Sequence, residues 1–546
     1  MTLLTAESRT VRKISIIGII AVISLGTILT FIATVNGLVI EGDGYYYINA
    51  ARIIASHLGL GDQASIDKNL LREITSYYAY AMELWPPFYP ALLAAASLTA
   101  DPYPAGRWLH LVFPLIIGSL LWGILYRNQK THTRAFVAIA LIILSPIILR
   151  LNFFVYSESL FLILQLLTML AISYYLRAKR RLWLVMAIIF IALACLTRYI
   201  GAAMALALAV TLWRVNADFP LYRRMALSLS CILFSVLPVT LYMFSSIIYG
   251  QTLYVAGRSL AWNWPIAKAL IFFKKSLNSP VIYLTPEGWP PQIQVFLALL
   301  AITAIVIFFV HQVKQQRQQP PARAVLQLQN FIKSCLLIYL VMASLLALFL
   351  DHMVCFTGLT PRHFAPVFVW AVVLIALTGP ENRAAGTKNS SRFMAVSALI
   401  FTAILITGSL AGSTINALKN PDIAEKPNKL WKNSPALAVA QEIDGVPWIV
   451  TNMPGEVFHY LNTPVFALPS HYDFFKAQNN PRYQEQMARL RTLLHQHNGI
   501  VLYFNPWVYL PKEGACAATS LEECMDSLHL EIYLRSRDCL ILRPVS

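Results

Sequence analysis

Apolar segments close to 20 residues long recur along most of this chain and are separated by short polar loops. The hydrocarbon core of a bilayer is about 30 Å thick, so a helix needs about 20 mostly apolar residues to cross it. We therefore predict eleven membrane-spanning helices in the first three quarters of the chain. They cover roughly residues 14–40, 108–126, 134–152, 157–176, 182–197, 199–214, 225–248, 293–312, 331–350, 363–379 and 393–412.

Residues 86–99 are also apolar, but about 14 residues is the length of an interfacial or re-entrant helix. Counting this segment as a twelfth span would invert every later loop and place most of the basic clusters outside. We therefore predict that it lies on the outer face with other juxtamembrane helices, inside a first external loop at residues 41–107.

The pattern changes after residue 412, where shorter apolar segments alternate with helical ones. The strand candidates are Trp448–Thr451, Val465–Leu468 and Ile500–Phe504, and the helical stretches lie near 434–443 and 480–497. Alternation of this kind predicts a small α/β domain. The predicted fold is an all-α polytopic membrane domain over residues 1–412, followed by a C-terminal α/β domain over residues 413–546.

The composition agrees with a membrane protein. Hydrophobic residues make up 57% of the chain and charged residues only 13%, whereas about 25% is usual in soluble domains. The mean hydropathy of +0.59 excludes a folded water-soluble monomer. The 23 glycines, 30 prolines and 7 cysteines exclude collagen-like, disordered and disulfide-scaffold classes at this length.

The net charge of +17 would suggest a nucleic-acid partner in a soluble protein. Here 20 of the 43 basic residues lie in one set of alternating loops, together with only three acids. The rule that basic loops face the cytoplasm places this set, and the N-terminus, inside a plasma (inner) membrane. The C-terminal domain then lies outside the cytoplasm, and its 12 basic and 13 acidic residues nearly cancel. Topology explains the charge, so no nucleic-acid partner is predicted.

The first span follows Arg9, Arg12 and Lys13, as a signal peptide would. Its apolar stretch is much longer than the core of a signal peptide, so we expect an uncleaved anchor. In the external domain, an oxidising environment would allow a bridge between Cys516 and Cys524. The alternative, in which these two and Cys539 are all unpaired, remains open.

Asp43 is the first candidate for chemistry. It lies in Glu41-Gly42-Asp43-Gly44-Tyr45-Tyr46-Tyr47, directly outside the first span. Desolvation at the lipid surface raises the basicity of a carboxylate, as a general base requires. The alternative is an ordinary interfacial belt of tyrosines.

Glu158 begins the fourth predicted span on the same outer face. Acids at membrane depth are rare and mostly functional, although an acid at a helix start also suits the helix dipole. Arg198 and Arg362 lie on that face as well, and each needs a carboxylate, a carbonyl or a phosphate as partner. Snorkelling to the interface is the alternative for each arginine. Two acids and two arginines on one face are what chemistry on a lipid phosphate requires.

No glycine-rich phosphate loop, His-Glu-x-x-His pair or Cys-x-x-Cys pair is present in the sequence. A polytopic enzyme without a nucleotide motif can take an activated substrate from the bilayer. The histidines near the outer face have no convincing metal spacing, so they are expected to be satisfied or exposed. They are His57, His110, His352 and His363.

With these motifs the sequence resembles the GT-C glycosyltransferases, in the branch of protein O-mannosyltransferases and lipid A aminoarabinose transferases. The resemblance covers roughly residues 14–379 and rests on the order and common sidedness of five short segments. They are Asp43-x-x-Tyr46-Tyr47, Glu83 with Pro86-Pro87-Phe88-Tyr89-Pro90, Ser157-Glu158-Ser159-Leu160-Phe161, Leu196-Thr197-Arg198-Tyr199-Ile200-Gly201 and Pro361-Arg362-His363-Phe364-Ala365-Pro366.

The resemblance implies transfer of a single sugar, with inversion, from a polyprenyl-phosphate donor to an extracytoplasmic acceptor that is a lipid, a glycan or a protein. It implies that Asp43 is the general base, that Glu158 positions or activates the acceptor, and that Tyr46, Tyr47 and Glu83 bind substrate. Arg198, Arg362 and Arg258 would stabilise the departing lipid phosphate.

The sequence departs from the family pattern at two places. Gly44 stands where an acid often follows the catalytic Asp, and the loop 249–292 lacks the histidine that completes a metal site in some relatives. Glu83 alone makes no metal site, so we predict activity without a metal cofactor.

Two other classes remain as alternatives: a multi-pass secondary transporter and a non-catalytic envelope assembly protein. Transporters usually have internal repeats and charges near the midplane of the membrane. In this sequence no repeat is visible and the candidate residues gather on one face.

Overall fold

The computed structural model of the chain describes most of both predicted domains. The described residues are 9–40, 43–57, 86–97, 101–129, 132–248, 323–350, 361–377, 431–442, 448–461, 465–469, 471–473, 478–504, 520–536 and 539–545.

The membrane domain consists of helices in every described range up to residue 377. They are α1 (Arg9–Ala33), α2 (Asp43–His57), α3 (Phe88–Ser97), α4 (Pro102–Gln129), α5 (His132–Ile143), α6 (Pro146–Phe153), α7 (Glu158–Ala178), α8 (Arg181–Thr197), a 3₁₀ turn (Tyr199–Gly201), α9 (Ala202–Val215), α10 (Leu221–Ile248), α11 (Arg323–Leu350) and α12 (Pro361–Leu377).

Five of the described helices are long and apolar enough to cross a membrane. They contain Arg12–Ala33, Pro102–Asn128, Glu158–Ala178, Leu221–Phe244 and Ala324–Met342. The predicted spans at 182–197, 199–214 and 363–379 also fall on apolar helices, which are shorter than 18 residues. The predicted spans at 293–312 and 393–412 lie outside the described residues, so the total of eleven stays a prediction.

The predicted span at 134–152 is not one straight helix. It consists of α5 and α6, which are bent by 52° relative to each other. Proline lacks the N–H that would continue the helical ladder, and Pro146 stands at the start of α6. The Ser145 hydroxyl caps that start by accepting a hydrogen bond of 3.3 Å from the backbone N–H of Ile148. The chain thus breaks at a residue pair suited to ending one helix and starting another.

Helix α7 is the buried centre of the membrane domain. Most of its residues are buried, including the polar Gln165 and Thr168, whereas α1 and α10 expose apolar side chains along much of their length. An apolar surface of this kind faces lipid in a membrane-spanning protein. The residue that begins α7 is Glu158, so the most enclosed helix carries an acid at one end.

The C-terminal domain is a five-stranded mixed sheet with helices on both faces. Its elements are α13 (Pro435–Glu442), β1 (Ile449–Thr451), α14 (Pro454–Leu461), β2 (Val465–Ala467), β3 (Tyr472–Asp473), β4 (Gln478–Asn479), α15 (Tyr483–Gln496), β5 (Ile500–Phe504), α16 (Leu521–Leu528), β6 (Leu530–Arg535) and β7 (Cys539–Pro544). The strand order is β2-β1-β5-β7-β6, with β1 parallel to β2 and β5, and β7 antiparallel to β5 and β6.

Side chains alternate between the two faces of this sheet, as the pleat requires. Val450 and Val501 pack with α15 and α16 on one face, whereas Ile449 and Ile500 pack with α13 and α14 on the other. All three predicted strands and both predicted helical stretches are present.

The described cysteines of the C-terminal domain, Cys524 and Cys539, are both free and buried. This agrees with the unpaired alternative for these two residues. Cys516 lies outside the described residues.

Candidate active site

A short backbone pairing sets the positions of the two candidate acids. Val39 pairs in parallel with Phe154, through a hydrogen bond of 2.9 Å from Val39 N to Phe153 O and one of 3.0 Å from Val155 N to Val39 O. Asp43 begins α2 four residues after Val39, and Glu158 begins α7 four residues after Phe154. Because the two segments run in the same direction, the two acids start their helices at the same level.

The structure brings together four of the residues that the sequence singles out: Asp43, Glu158, Arg198 and Arg362. Arg362 Nη2 donates a hydrogen bond of 2.5 Å to Asp43 Oδ2. Arg198 Nη1 lies 2.6 Å from Glu158 Oε1, and Arg362 Nε lies 3.5 Å from that same oxygen. Arg362 therefore bridges the two acids, and the formal charges of the four side chains sum to zero.

The four side chains differ in depth. The exposed fraction of the side chain is 2% for Glu158 and 14% for Arg198, but 17% for Asp43 and 21% for Arg362. Neither oxygen of Glu158 makes a geometrically sound hydrogen bond to the described part of the chain. The site therefore opens at Asp43 and Arg362, and Glu158 forms its floor.

Arg198 lies at a break between two helices. Its backbone is extended, with φ −151° and ψ 128°, and its N–H donates to the carbonyl of Ala194 to close α8. The turn that follows needs a glycine, because a Cβ at Gly201 would lie 2.7 Å from the backbone N of Cys195. The tight turn between α8 and α9 thus places Arg198 beside Glu158.

Arg362 is the second residue of α12, and its guanidinium lies over the ring of Tyr156, 4.7 Å from the ring centroid. A guanidinium on an aromatic face gains a cation–π attraction while its N–H groups stay available for oxygen atoms. The hydroxyl of Tyr339 donates a hydrogen bond of 2.8 Å to the carbonyl of His363, which ties α12 to α11 next to Arg362.

The two tyrosines of the acid motif have different surroundings. Tyr47 is 1% exposed, and its hydroxyl lies 3.0 Å from Ser157 Oγ, which also accepts a 3.4 Å hydrogen bond from Arg198. Tyr46 is partly buried, and burial together with the charges of Glu456 and Asp43 raises the pKa of its phenol. The substrate-binding role of both tyrosines stays a prediction. Glu83 and Arg258 lie outside the described residues.

A buried polar chain beneath the site was not predicted. The hydroxyl of Tyr89 lies 2.7 Å from Nε2 of His110, whose Nδ1 is 3.1 Å from the carbonyl oxygen of Asn152. The rings of Tyr89 and Tyr47 meet edge to face, with centroids 5.0 Å apart. The sequence signal for Tyr89 was its place in the Pro86–Pro90 segment, but nothing in the sequence pairs it with His110.

Gly44, the departure from the family pattern, is buried against the segment that leads to Glu158. A Cβ at this position would lie 3.1 Å from Ile40 Cγ2 and 3.3 Å from the carbonyl oxygen of Val155. These distances are tighter than ordinary Cβ contacts, so a second acid next to Asp43 would require the Val155 segment to move.

Within the described ranges, no group of three His, Cys, Asp or Glu side chains is placed to hold a metal ion. Of the acids that the sequence singles out, Asp43 and Glu158 are each paired with an arginine, and Glu83 is not described. Activity without a metal therefore stays a prediction.

The chain shares its fold with solved glycosyltransferase structures. Two crystal structures of ArnT from Cupriavidus metallidurans, one bound to undecaprenyl phosphate and one in the apo state, each match with a TM-score of 0.56 and 15% sequence identity. They cover 96% of this chain and 98% and 97% of the ArnT chains, respectively. A crystal structure of the Archaeoglobus fulgidus oligosaccharyltransferase matches with a TM-score of 0.44 and 11% identity, over 88% of this chain and 68% of that chain.

No curated protein matches the chain in sequence. One family does: residues 17–254 match the sequence profile of dolichyl-phosphate-mannose-protein mannosyltransferases. This region contains Asp43, Glu158 and Arg198, and Arg362 lies beyond it. The resemblance inferred from the motifs is thus confirmed, since the first half of the chain matches this mannosyltransferase family and the whole chain has the fold of the ArnT glycosyltransferases.

Proposed function

We propose that this protein is an integral-membrane glycosyltransferase that moves a single sugar from a polyprenyl-phosphate donor to an extracytoplasmic acceptor, with inversion. The observation that carries the proposal is the charge-balanced group of Asp43, Glu158, Arg198 and Arg362. It contains a candidate base and two candidate phosphate ligands within one ion-paired cluster. The family match over residues 17–254 supports the reaction class.

In this proposal Asp43 is the general base, because it is the more accessible of the two acids. Its carboxylate takes the proton of an acceptor hydroxyl as the acceptor oxygen bonds to the anomeric carbon of the sugar. The bond from that carbon to the phosphate oxygen breaks on the opposite side, and its electron pair leaves with the polyprenyl phosphate. A single displacement of this kind inverts the anomeric configuration.

Arg198 and Arg362 stabilise the departing phosphate, where negative charge grows in the transition state. Guanidinium groups suit this role because their fixed N–H donors match phosphate oxygens. Arg258 is proposed as a third ligand from the loop 249–292. Glu158 holds both arginines through Oε1 and helps to position the acceptor.

The donor reaches the site from the bilayer. An undecaprenyl chain is too apolar to leave the membrane, and one of the ArnT structures of the same fold holds undecaprenyl phosphate. The four candidate residues lie at helix starts or breaks rather than in the middle of spans. A phosphate held at the ends of membrane helices can keep its lipid tail in the hydrocarbon layer.

We further propose the topology that the charge pattern favours. The N-terminus is cytoplasmic, eleven helices span the plasma (inner) membrane, and the domain that begins near residue 413 lies outside. The concentration of basic residues in alternating loops supports this orientation. It places the acceptor outside the cytoplasm with the candidate site.

The experiment is sugar transfer by the purified full-length protein. Undecaprenyl-phosphate mannose and undecaprenyl-phosphate aminoarabinose, each radiolabelled, serve as donors, with lipid A and a Ser/Thr-rich peptide as acceptors. We expect a new glycosidic bond of inverted configuration with at least one pair. No product from any pair, together with no binding of undecaprenyl phosphate, would contradict the proposal.

The same assay separates the two alternative classes. A secondary transporter would move label across a vesicle membrane without forming a glycosidic bond. An assembly protein would bind its partner equally well after Asp43→Asn, with no loss of product formation to measure.

A further inference from the structure

The C-terminal domain is docked on the helix that begins with Asp43. Asn49 of α2, which is 1% exposed, donates a hydrogen bond of 3.1 Å from Nδ2 to the carbonyl of Gly455 in α14. One helical turn further, Arg52 Nη1 donates one of 2.9 Å to the carbonyl of His459. The docking interface is therefore specific and partly buried, and it fixes α14 against α2.

This docking places Glu456 next to the acid motif. Glu456 follows Gly455, the residue held by Asn49, and lies in the first turn of α14. Tyr46 is three residues from both Asp43 and Asn49, so the three share one face of α2. Glu456 and Asp43 both act electrostatically on the Tyr46 phenol. Tyr46 thus lies between a carboxylate of the membrane domain and a carboxylate of the external domain.

The Glu456 side chain is partly buried and makes no ion pair with a described residue. Burial raises its pKa from 4.5 to about 7, so the carboxyl group changes charge near neutrality. The one phenolic proton of Tyr46 is attracted by both carboxylates. Ionised Glu456 competes with Asp43 for it, and protonated Glu456 does not.

We propose that Glu456 of the C-terminal domain is a positioning residue for the transfer reaction, which acts through Tyr46 on the catalytic acid Asp43. This inference rests on the proposed function. When Glu456 is ionised, Tyr46 turns its hydroxyl toward Glu456 and leaves Asp43 free to accept the proton of the acceptor. When Glu456 is protonated, Tyr46 donates to Asp43 and weakens it as a base.

The other titratable groups around Glu456 do not produce the same response. His459 and Tyr460 lie on α14 itself, Tyr45 and Arg52 on α2, and Tyr103 on α4, while Lys432 precedes α13. Burial, with the positive charges of Arg52 and Lys432, holds the pKa of His459 well below its usual range, so His459 stays neutral near pH 7. Burial raises the pKa of Tyr460 far above neutrality.

The test is the pH profile of acceptor kcat/KM between pH 5.5 and 9, in the full-length protein, with a donor and acceptor pair that the wild type uses. We expect the wild-type value to rise severalfold with a midpoint near pH 7. Glu456→Gln should remove this rise and stay at the low-pH level, whereas the KM for the donor should not change. Glu456→Asp should restore a rise, and Tyr46→Phe should remove it.

Asn49→Ala is the matched control, because it weakens the docking of α14 without changing a charge. It should lower thermal stability and keep the midpoint. An unchanged midpoint in Glu456→Gln, or in Tyr46→Phe, overturns the inference while the transfer activity of the wild type still supports the proposed function. A wild type that transfers no sugar overturns the proposed function itself.

Discussion

Arg362 Nη2 donates a 2.5 Å hydrogen bond to Asp43 Oδ2, although 319 residues separate them in the chain. The candidate base and a candidate phosphate ligand are thus each other's partner. A phosphate that binds Arg362 must share the guanidinium with Asp43, and this sharing loosens the hold on the carboxylate. Donor binding would thereby prepare Asp43 to accept a proton.

Asp43→Asn should abolish sugar transfer and leave the fold intact. The amide keeps the shape of the side chain but cannot act as a base, and general-base catalysis contributes about 10²–10⁴ in rate. The measurement is product formation at saturating donor, with thermal unfolding as the check on folding. Glu531→Gln, which changes an exposed acid paired with Arg543 in the C-terminal sheet, is the matched control. Full turnover by the Asn variant would remove Asp43 from the mechanism.

Arg198→Ala should weaken donor binding more than it affects the acceptor. Hydrogen bonds to charged groups contribute about 1.5–3 kcal/mol, which corresponds to a loss of about tenfold to 100-fold in affinity. Binding of undecaprenyl phosphate to the purified variant measures it. Arg224→Ala is the control, because Arg224 binds the carbonyl of Trp213 and lies over its ring, away from the acids. Equal donor affinity in wild type and Arg198→Ala would leave Arg198 with a structural role only.

Glu158→Gln should destabilise the membrane domain by about 3–5 kcal/mol, the usual cost of removing one member of a buried ion pair. The loss leaves Arg198 without its carboxylate in a site where Glu158 is 2% exposed. A double variant, Glu158→Gln with Arg198→Gln, should lose less than the sum of the two single changes, because it leaves no unpaired charge there. Unfolding midpoints of all four proteins decide this, and strict additivity would show that the two residues are not coupled.

EDTA should leave the transfer rate of the purified protein unchanged, since the proposed mechanism uses arginines and carboxylates alone. The rate is measured before and after dialysis against the chelator, then again with added Mg²⁺, Mn²⁺ or Zn²⁺. Strong inhibition that a divalent metal reverses would refute the prediction, and it would direct attention to Glu83 and the loop 249–292.

Glu456 should make the protein less stable as the pH rises. Its pKa is raised from 4.5 to about 7 by burial, so the folded state retains a proton that the unfolded chain releases between these values. The free energy of unfolding therefore falls as the pH rises from about 5 to 7.5, by at most about 3 kcal/mol. Glu456→Gln should remove this fall, and it should be more stable than the wild type at pH 8 and equal to it at pH 5. Parallel stability curves for the two proteins would contradict the prediction.

The sequence predicts the membrane class and the sidedness of Asp43, Glu158, Arg198 and Arg362, because apolar length and loop charge follow from the solvent on each side. It does not predict that Arg362 pairs with Asp43, since that contact depends on how α12 packs beside α2. It also missed Glu456, which stands in a short helix of the other domain and approaches Asp43 only through docking. Strand β6 was missed because its solvent-exposed edge sequence carries Glu531 and Arg535 among apolar residues.

The parallel pairing of Val39 with Phe154 also bears on how the protein is made. A ribosome completes the segments of both acids when it has synthesised the first 158 residues, and Arg198 follows 40 residues later. Arg362 comes out much later, so Glu158 can be neutralised early in membrane insertion, whereas Asp43 waits for α12. The nascent chain would thus hold a half-assembled site for most of its translation. Delivery of one late helix then completes the charge balance.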